Sequence, residues 1–122
     1  LNNGIRAWCD WNILVDQQGG PNHVGNFCYA PVVGDVNTGK VYFTNEYWYI
    51  GQFSKFIRPG ARRIASSSNR DALQTTAFIN KDGKLAVVVL NRTDNDVAYH
   101  LWINGQWAPA TSKAHSIETI VI

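Results

Sequence analysis

Lys84-Leu85-Ala86-Val87-Val88-Val89-Leu90-Asn91 is the stretch that decides the fold. Its apolar residues occupy both parities, with Leu85, Val87 and Val89 on one face of an extended chain and Ala86, Val88 and Leu90 on the other. A short apolar run rich in β-branched residues and closed by polar ends reads as a strand covered on both faces. Working upstream, Asn80-Lys81-Asp82-Gly83 is a hairpin turn with Gly83 free to take a positive φ, and Leu73 to Ile79 is the strand before it. Working downstream, Val97 to Ile103 is followed by Asn104-Gly105, the strongest two-residue hairpin signal in the chain, which leads into Gln106-Trp107. Ser116 to Ile122 closes the sequence, with Ile117, Thr119 and Val121 opposed to Glu118, Ile120 and Ile122. Strands recurring about every ten residues predict an antiparallel β-sandwich over residues 60–122.

Residues 1–59 follow a different pattern. Ile5 to Val15 reads as a strand with apolar bulk on both faces, so it expects cover on both sides. Gln17 to Asp35 has little periodicity, and a loop of that length in a compact domain is usually functional. Asn45 to Ile57 predicts a helix: Thr44 or Asn45 caps it, Glu46 suits its first turn and Pro59-Gly60 ends it. Its aromatic residues surround more than one face, which predicts packing on two neighbours. Strand, loop and helix make one βα unit, and one unit cannot form a parallel sheet. The expected fold is therefore mainly β, a carboxy-terminal sandwich preceded by a βα unit whose neighbours lie elsewhere. Exposed, that unit would present large apolar patches and favour self-association, through exchange of the unit between chains.

Composition narrows the function. The chain has 122 residues, 45% hydrophobic and 12% aromatic, enough for one cored domain and unlike a disordered segment. Eleven basic against nine acidic residues give a net charge of +2, and only Arg62-Arg63 cluster, which is a poor footprint for nucleic acid. Apolar runs reach five or six residues, far below the roughly 20 of a membrane helix, and no leader pattern is visible. A chain without Met that opens at Leu1 inside an ordered stretch looks like a processed or excised piece. Cys9 and Cys28 could close one loop but match no zinc spacing, and are read as two free, partly buried thiols. Asn91-Arg92-Thr93 is a glycosylation sequon that fits a secreted protein, with a polar strand-end turn as the alternative. His23, His100 and His115 are too dispersed for a metal site, and no cofactor is expected.

Four motifs in order carry a resemblance: Trp8-Cys9-Asp10-Trp11-Asn12, Gly19-Gly20-Pro21-Asn22, Gly25-Asn26-Phe27-Cys28, and Phe53-Ser54-Lys55-Phe56-Ile57-Arg58-Pro59-Gly60. Together with the Ala86 to Asn91 strand and Ala114-His115-Ser116-Ile117, they make the chain resemble the carboxy-terminal part of glycoside hydrolase family 30. This family of retaining β-glycosidases includes glucosylceramidases and β-1,6-glucanases. The resemblance implies a (β/α)8 barrel with a β-sandwich at its side. Ile5 to Val15 would then be the eighth barrel strand, Asn45 to Ile57 the eighth helix, and the remainder of the barrel a required partner. It also implies a carbohydrate or glycolipid substrate and a secreted, periplasmic or lysosomal setting.

Retaining hydrolysis needs two carboxyl groups about 5 to 5.5 Å apart. The resemblance puts both on Glu residues of barrel strands upstream of every motif matched here. The chain's own two, Glu46 and Glu118, lie in neither motif, so these residues alone are expected to be inactive. Asp10 and Asp16, six residues apart on one expected strand, would be separated by roughly 20 Å. Part of a substrate wall remains. By the family's motif, Trp11 forms the platform under the bound sugar and Asn26, Phe27 and Cys28 come from the loop over it; His23, by its place in the Gly-rich loop, is read as lining the pocket entrance. Trp8 is read as packing. The motif departs from the family at Tyr29, where members often carry Asp. The runner-up reading is a free-standing carbohydrate-binding sandwich that uses Trp102 and Trp107 as stacking platforms.

Overall fold

The computed structural model describes all residues, Leu1–Ile122. They form two compact units, Leu1–Gly51 and Gln52–Ile122.

The first unit is built on a small mixed sheet. Strand β1 (Leu14–Asp16) pairs in parallel with β2 (Val32–Gly34), which pairs antiparallel with β3 (Val41–Phe43). The expected strand from Ile5 to Val15 is thus realised only at its end. β1 has one neighbour, and residues 5–12 have no ladder to join, so they run irregularly and almost wholly exposed. Backbone groups without a partner strand are satisfied locally or by water instead. Trp11 shows this, its N–H donating to Asp10 Oδ1 at 2.8 Å.

The unperiodic stretch holds a strand the sequence reading did not assign. β2 lies inside Gln17 to Asp35, and a turn through Asp35 to Lys40 joins it to β3. Asp35 organises that turn. Its carboxylate accepts from the N–H groups of Asn37 (2.9 Å) and Thr38 (3.2 Å) and from the Gln17 amide, while its own N–H reaches Lys40 O at 2.8 Å. Bonds from Thr38 and Asn37 lead the effects that hold the Asp35 carboxyl below the ordinary Asp range.

Helix α1 (Asn45–Ser54) ends three residues before the expected Ile57. Ile57 N–H still donates to Phe53 O at 2.9 Å, but Arg58 N–H leaves the helix for Asn80 Oδ1 at 2.9 Å. The residue before a proline avoids helical backbone, so Arg58 before Pro59 sets the limit. Thr44 precedes the helix without capping it: its hydroxyl turns back to Ala30 O (3.1 Å) and Pro31 O (3.2 Å). The expected burial of the helix aromatics is also absent, since α1 buries no residue. Phe43, Tyr47 and Trp48 instead pack on one another, with ring centroids 4.6 to 6.3 Å apart. No helix is long and apolar enough to cross a membrane.

The second unit follows the expected sandwich closely. β4 (Arg62–Ile64), β5 (Leu73–Ile79), β6 (Leu85–Asn91) and β9 (Ser116–Val121) form one antiparallel sheet in the order β4-β5-β6-β9. β7 (Val97–Ile103) and β8 (Gln106–Ser112) form a separate hairpin. Gly83 takes a φ of 86°, and Asn104 and Gly105 take 50° and 80°, the two positive values that a tight hairpin with right-handed strand twist requires. Leu73, Ala77, Val87 and Val89 are buried on one face of the sheet, against Val97, Tyr99, Leu101 and Ile103 of β7. On the other face Phe78, Ala86 and Val88 are buried as well, so β6 is covered on both sides as its sequence required. Tyr99 clips hairpin to sheet, its hydroxyl donating to Glu118 Oε1 at 3.0 Å. Burial, and then the Glu118 charge, push the Tyr99 phenol well above its ordinary range.

Asn91 closes one end of the core. It is fully buried (0% exposed), and its amide donates to Asn95 O (2.8 Å), Lys113 O (2.9 Å) and Ser112 O (3.2 Å). Its Oδ1 accepts from Thr93 N–H (2.9 Å) and Thr93 Oγ1 (2.8 Å). The sequon is therefore the strand-end turn, and the nitrogen that would carry a glycan is enclosed.

Candidate functional site

The first three of the four motifs that carried the resemblance lie in the segment from Trp8 to Cys28. Asp16, at the end of β1, starts the loop by accepting from Gln18 N–H (2.9 Å) and Gly20 N–H (2.8 Å) with Oδ1. Its backbone closes the same turn, Asp16 N–H reaching Gly20 O at 2.7 Å and Gly19 N–H reaching Asp16 O at 3.0 Å. Asp16 is thus a turn organiser. Gly19 has a φ of 86° and lies so close to Cys28 that a Cβ there would overlap the Cys28 carbonyl oxygen. That approach lets Cys28 N–H donate to Gly19 O at 2.8 Å, tying the far end of the loop to its start. Beyond the cis Gly20–Pro21 peptide, Asn22 Oδ1 accepts from Val24 N–H (3.3 Å) and Asn26 N–H (3.0 Å). Two side chains and one glycine therefore shape a loop that carries almost no apolar core.

The four expected wall residues stand as follows. Trp11 is 85% exposed and Phe27 63% exposed. Asn26 is exposed, its backbone held by Asn22. Cys28 is half-buried, with Sγ 3.5 Å from Asn26 O. The loop brings Asn26, Phe27 and Cys28 together and anchors them to Gly19. His23 and Tyr29 are exposed, and so is Trp8, which does not pack as expected. Cys9 is exposed rather than partly buried; both thiols are free.

One pairing escaped the sequence reading. Asp10, considered there only with Asp16, is hydrogen-bonded to Glu46 of α1. Two carboxyl groups can share a hydrogen bond only if one keeps a proton. The bond to Asp10, then burial and the Asp10 charge, raise the Glu46 carboxyl above the ordinary range. The Asp10 carboxyl is lowered by Glu46 first, then by the Trp11 N–H and the Trp8 side chain. The helix dipole was expected to favour an anion at Glu46, and the adjacent carboxylate outweighs it. Nothing in the spacing of residues 10 and 46 signals this contact.

Comparison with known proteins assigns the two segments to domains of one family. Residues 1–57 match the glycosyl hydrolase family 30 TIM-barrel domain, and residues 60–120 match the glycosyl hydrolase family 30 β-sandwich domain. The chain belongs to glycosyl hydrolase family 30. Within family 30 it is 39% identical over 94 residues to the lysosomal acid glucosylceramidase of Mus musculus, covering 76% of this chain and 18% of that protein. It is 29% identical over 129 residues to the endo-1,6-β-D-glucanase BGN16.3 of Trichoderma harzianum, covering 100% of this chain and 26% of that protein. The crystal structure of SrfJ from Salmonella typhimurium superposes with a TM-score of 0.88 at 33% identity, over 93% of this chain and 25% of that one. The chain thus spans about a fifth to a quarter of the length of these family 30 relatives.

Proposed function

We propose that these residues are the carboxy-terminal part of a retaining β-glycosidase acting on β-linked glucosides or glucans. In this reading residues 1–59 belong to the barrel and 60–122 to its side sandwich. Trp11, Asn26, Phe27 and Cys28 form part of the substrate wall, and the acid/base and the nucleophile lie outside this sequence. The carrying observation is the ordered match of the two family domains, with Trp11 85% exposed in the barrel-matched segment. An exposed indole offers a flat apolar face to the C–H side of a pyranose and an N–H at its edge. Catalytic emptiness is supported by the occupations of the two Glu residues: Glu46 is bound to Asp10, and Glu118 accepts from Tyr99 inside the sandwich.

Gentiobiose, a β-1,6-linked glucose disaccharide, tests the wall. Titrated into the 15N-labelled chain, it should shift the indole N–H resonance of Trp11 and the amides of Asn26 to Cys28 together. If those signals stay fixed at millimolar sugar, the assignment is wrong.

A further inference from the structure

Strand alternation divides the β7–β8 hairpin into unlike faces. Val97, Tyr99, Leu101 and Ile103 turn to the core, so every Val, Leu and Ile of the hairpin is used inward. His100 and Trp102 point outward, opposite Pro109 and Trp107. Trp102 lies directly across from Trp107 in the register, and directly opposed residues hold their Cβ atoms about 4.5 to 5.5 Å apart. The two Trp are therefore neighbours on this face, 66% and 58% exposed. The His100 ring meets Trp107 edge to face, with centroids 4.7 Å apart and planes at 68°. At the turn, Asn104 is exposed next to Trp102 in the chain, whereas Gln106, opposite Ile103 in the register, belongs to the other face of the hairpin. No position on this outward face carries a formal charge, in a chain that is 16% charged.

From this face we infer a second carbohydrate site on the sandwich, a platform on which consecutive units of a neutral β-glucan stack against Trp102 and Trp107. The charge-free surface complements a neutral polyhydroxylated chain, and it offers no cation to a nucleic acid or an anionic membrane. Flat rings meet the C–H faces of the sugar, and the indole N–H groups and His100 meet its hydroxyls. The platform is independent of Trp11; only the choice of a β-linked glucan rests on the family reading above.

The test titrates the 15N-labelled chain with pustulan, a soluble β-1,6-glucan, and follows the indole N–H signals. Saturable shifts at Trp102 and Trp107 are expected, with affinity reduced by about tenfold or more in the double variant Trp102→Ala/Trp107→Ala and largely kept in Trp102→Tyr/Trp107→Tyr. Should the alanine pair unfold, Trp107→Leu, which keeps bulk but no flat ring, decides the question in the same terms. Absence of saturable shifts overturns the proposal, as does affinity unchanged in the double alanine variant. Shifts at these two indoles that follow protein concentration without glucan also overturn it, because the face is then an interface between copies. The Trp11 signal reports separately: a silent Trp11 with responsive Trp102 and Trp107 refutes the wall and leaves the platform, and the converse refutes the platform alone.

Discussion

Replacing Asn91 by Ala should be among the most damaging single changes in the sandwich. The substitution removes the donor to Asn95 O, Lys113 O and Ser112 O and the acceptor for both Thr93 groups. Ser112 is fully buried, so water cannot replace the bond lost at its carbonyl, and that loss costs about 1 to 3 kcal/mol. The other four bonds reach partners nearer the surface, where water recovers part of each, leaving a net loss of about 0.5 kcal/mol per bond. The total is about 3 to 5 kcal/mol, a large fraction of the stability of a small domain. Asn91→Asp should cost at least as much, since it sets an oxygen against three carbonyls. Thr93→Ala, which removes only one hydroxyl from the cluster, should cost about 1 kcal/mol. Urea unfolding followed at the Trp102 and Trp107 indole signals gives the three values. A cost below about 1 kcal/mol for Asn91→Ala would refute the reasoning, because it would mean that water replaces the whole cluster. The same geometry predicts that folded chain made in a glycosylating host carries no glycan on Asn91; intact mass with peptide mapping checks this.

Gly19→Ala should loosen the loop at Cys28 by more than about 2 kcal/mol, read as faster hydrogen exchange at Cys28 N–H, because it combines a positive φ with overlap on a carbonyl. Gly25→Ala shares the positive φ but meets open space, so about 1 kcal/mol is expected there, and equal effects would discredit the contact. The Asp10–Glu46 pair predicts a pH response. The raised Glu46 carboxyl favours the folded pair while protonated, and that contribution is lost as pH rises through its folded pKa. The lowered Asp10 contributes in the opposite sense and is lost as pH falls through its own. Carbon-13 titration should place the Glu46 midpoint above the ordinary Glu range, and Glu46→Gln should remove the accompanying change at Trp11. An ordinary Glu46 midpoint contradicts the pairing.

The sandwich was legible because its information is local. Period-two runs, the Asn104-Gly105 turn and the two-faced run at Leu85 to Leu90 each specify structure within about ten residues, and β5, β6, β7 and β9 follow within a residue of expectation. The first unit was less legible for the opposite reason. Ile5 to Val15 has the pattern of a strand, but a strand exists only where a neighbour pairs with it, and only Leu14–Asp16 has one. β2 and β3 are three residues each, too short for a period to declare itself, although Asn37-Thr38-Gly39 was an available turn signal. The wall role proposed for Trp11, Asn26, Phe27 and Cys28 rests on motif resemblance alone, because no pattern within the segment points to a ligand. The Asp10–Glu46 contact depends on chain path, which no spacing rule encodes.

Hydrolysis itself tests the central reading most directly. Incubated with 4-nitrophenyl β-D-glucoside, the 122-residue chain should release no nitrophenol above the buffer rate, since neither of its two Glu lies in a family catalytic motif and Glu118 is committed to Tyr99. Sustained release proportional to protein, abolished by Glu46→Gln or Glu118→Gln, would contradict the account and place a catalytic pair within these residues.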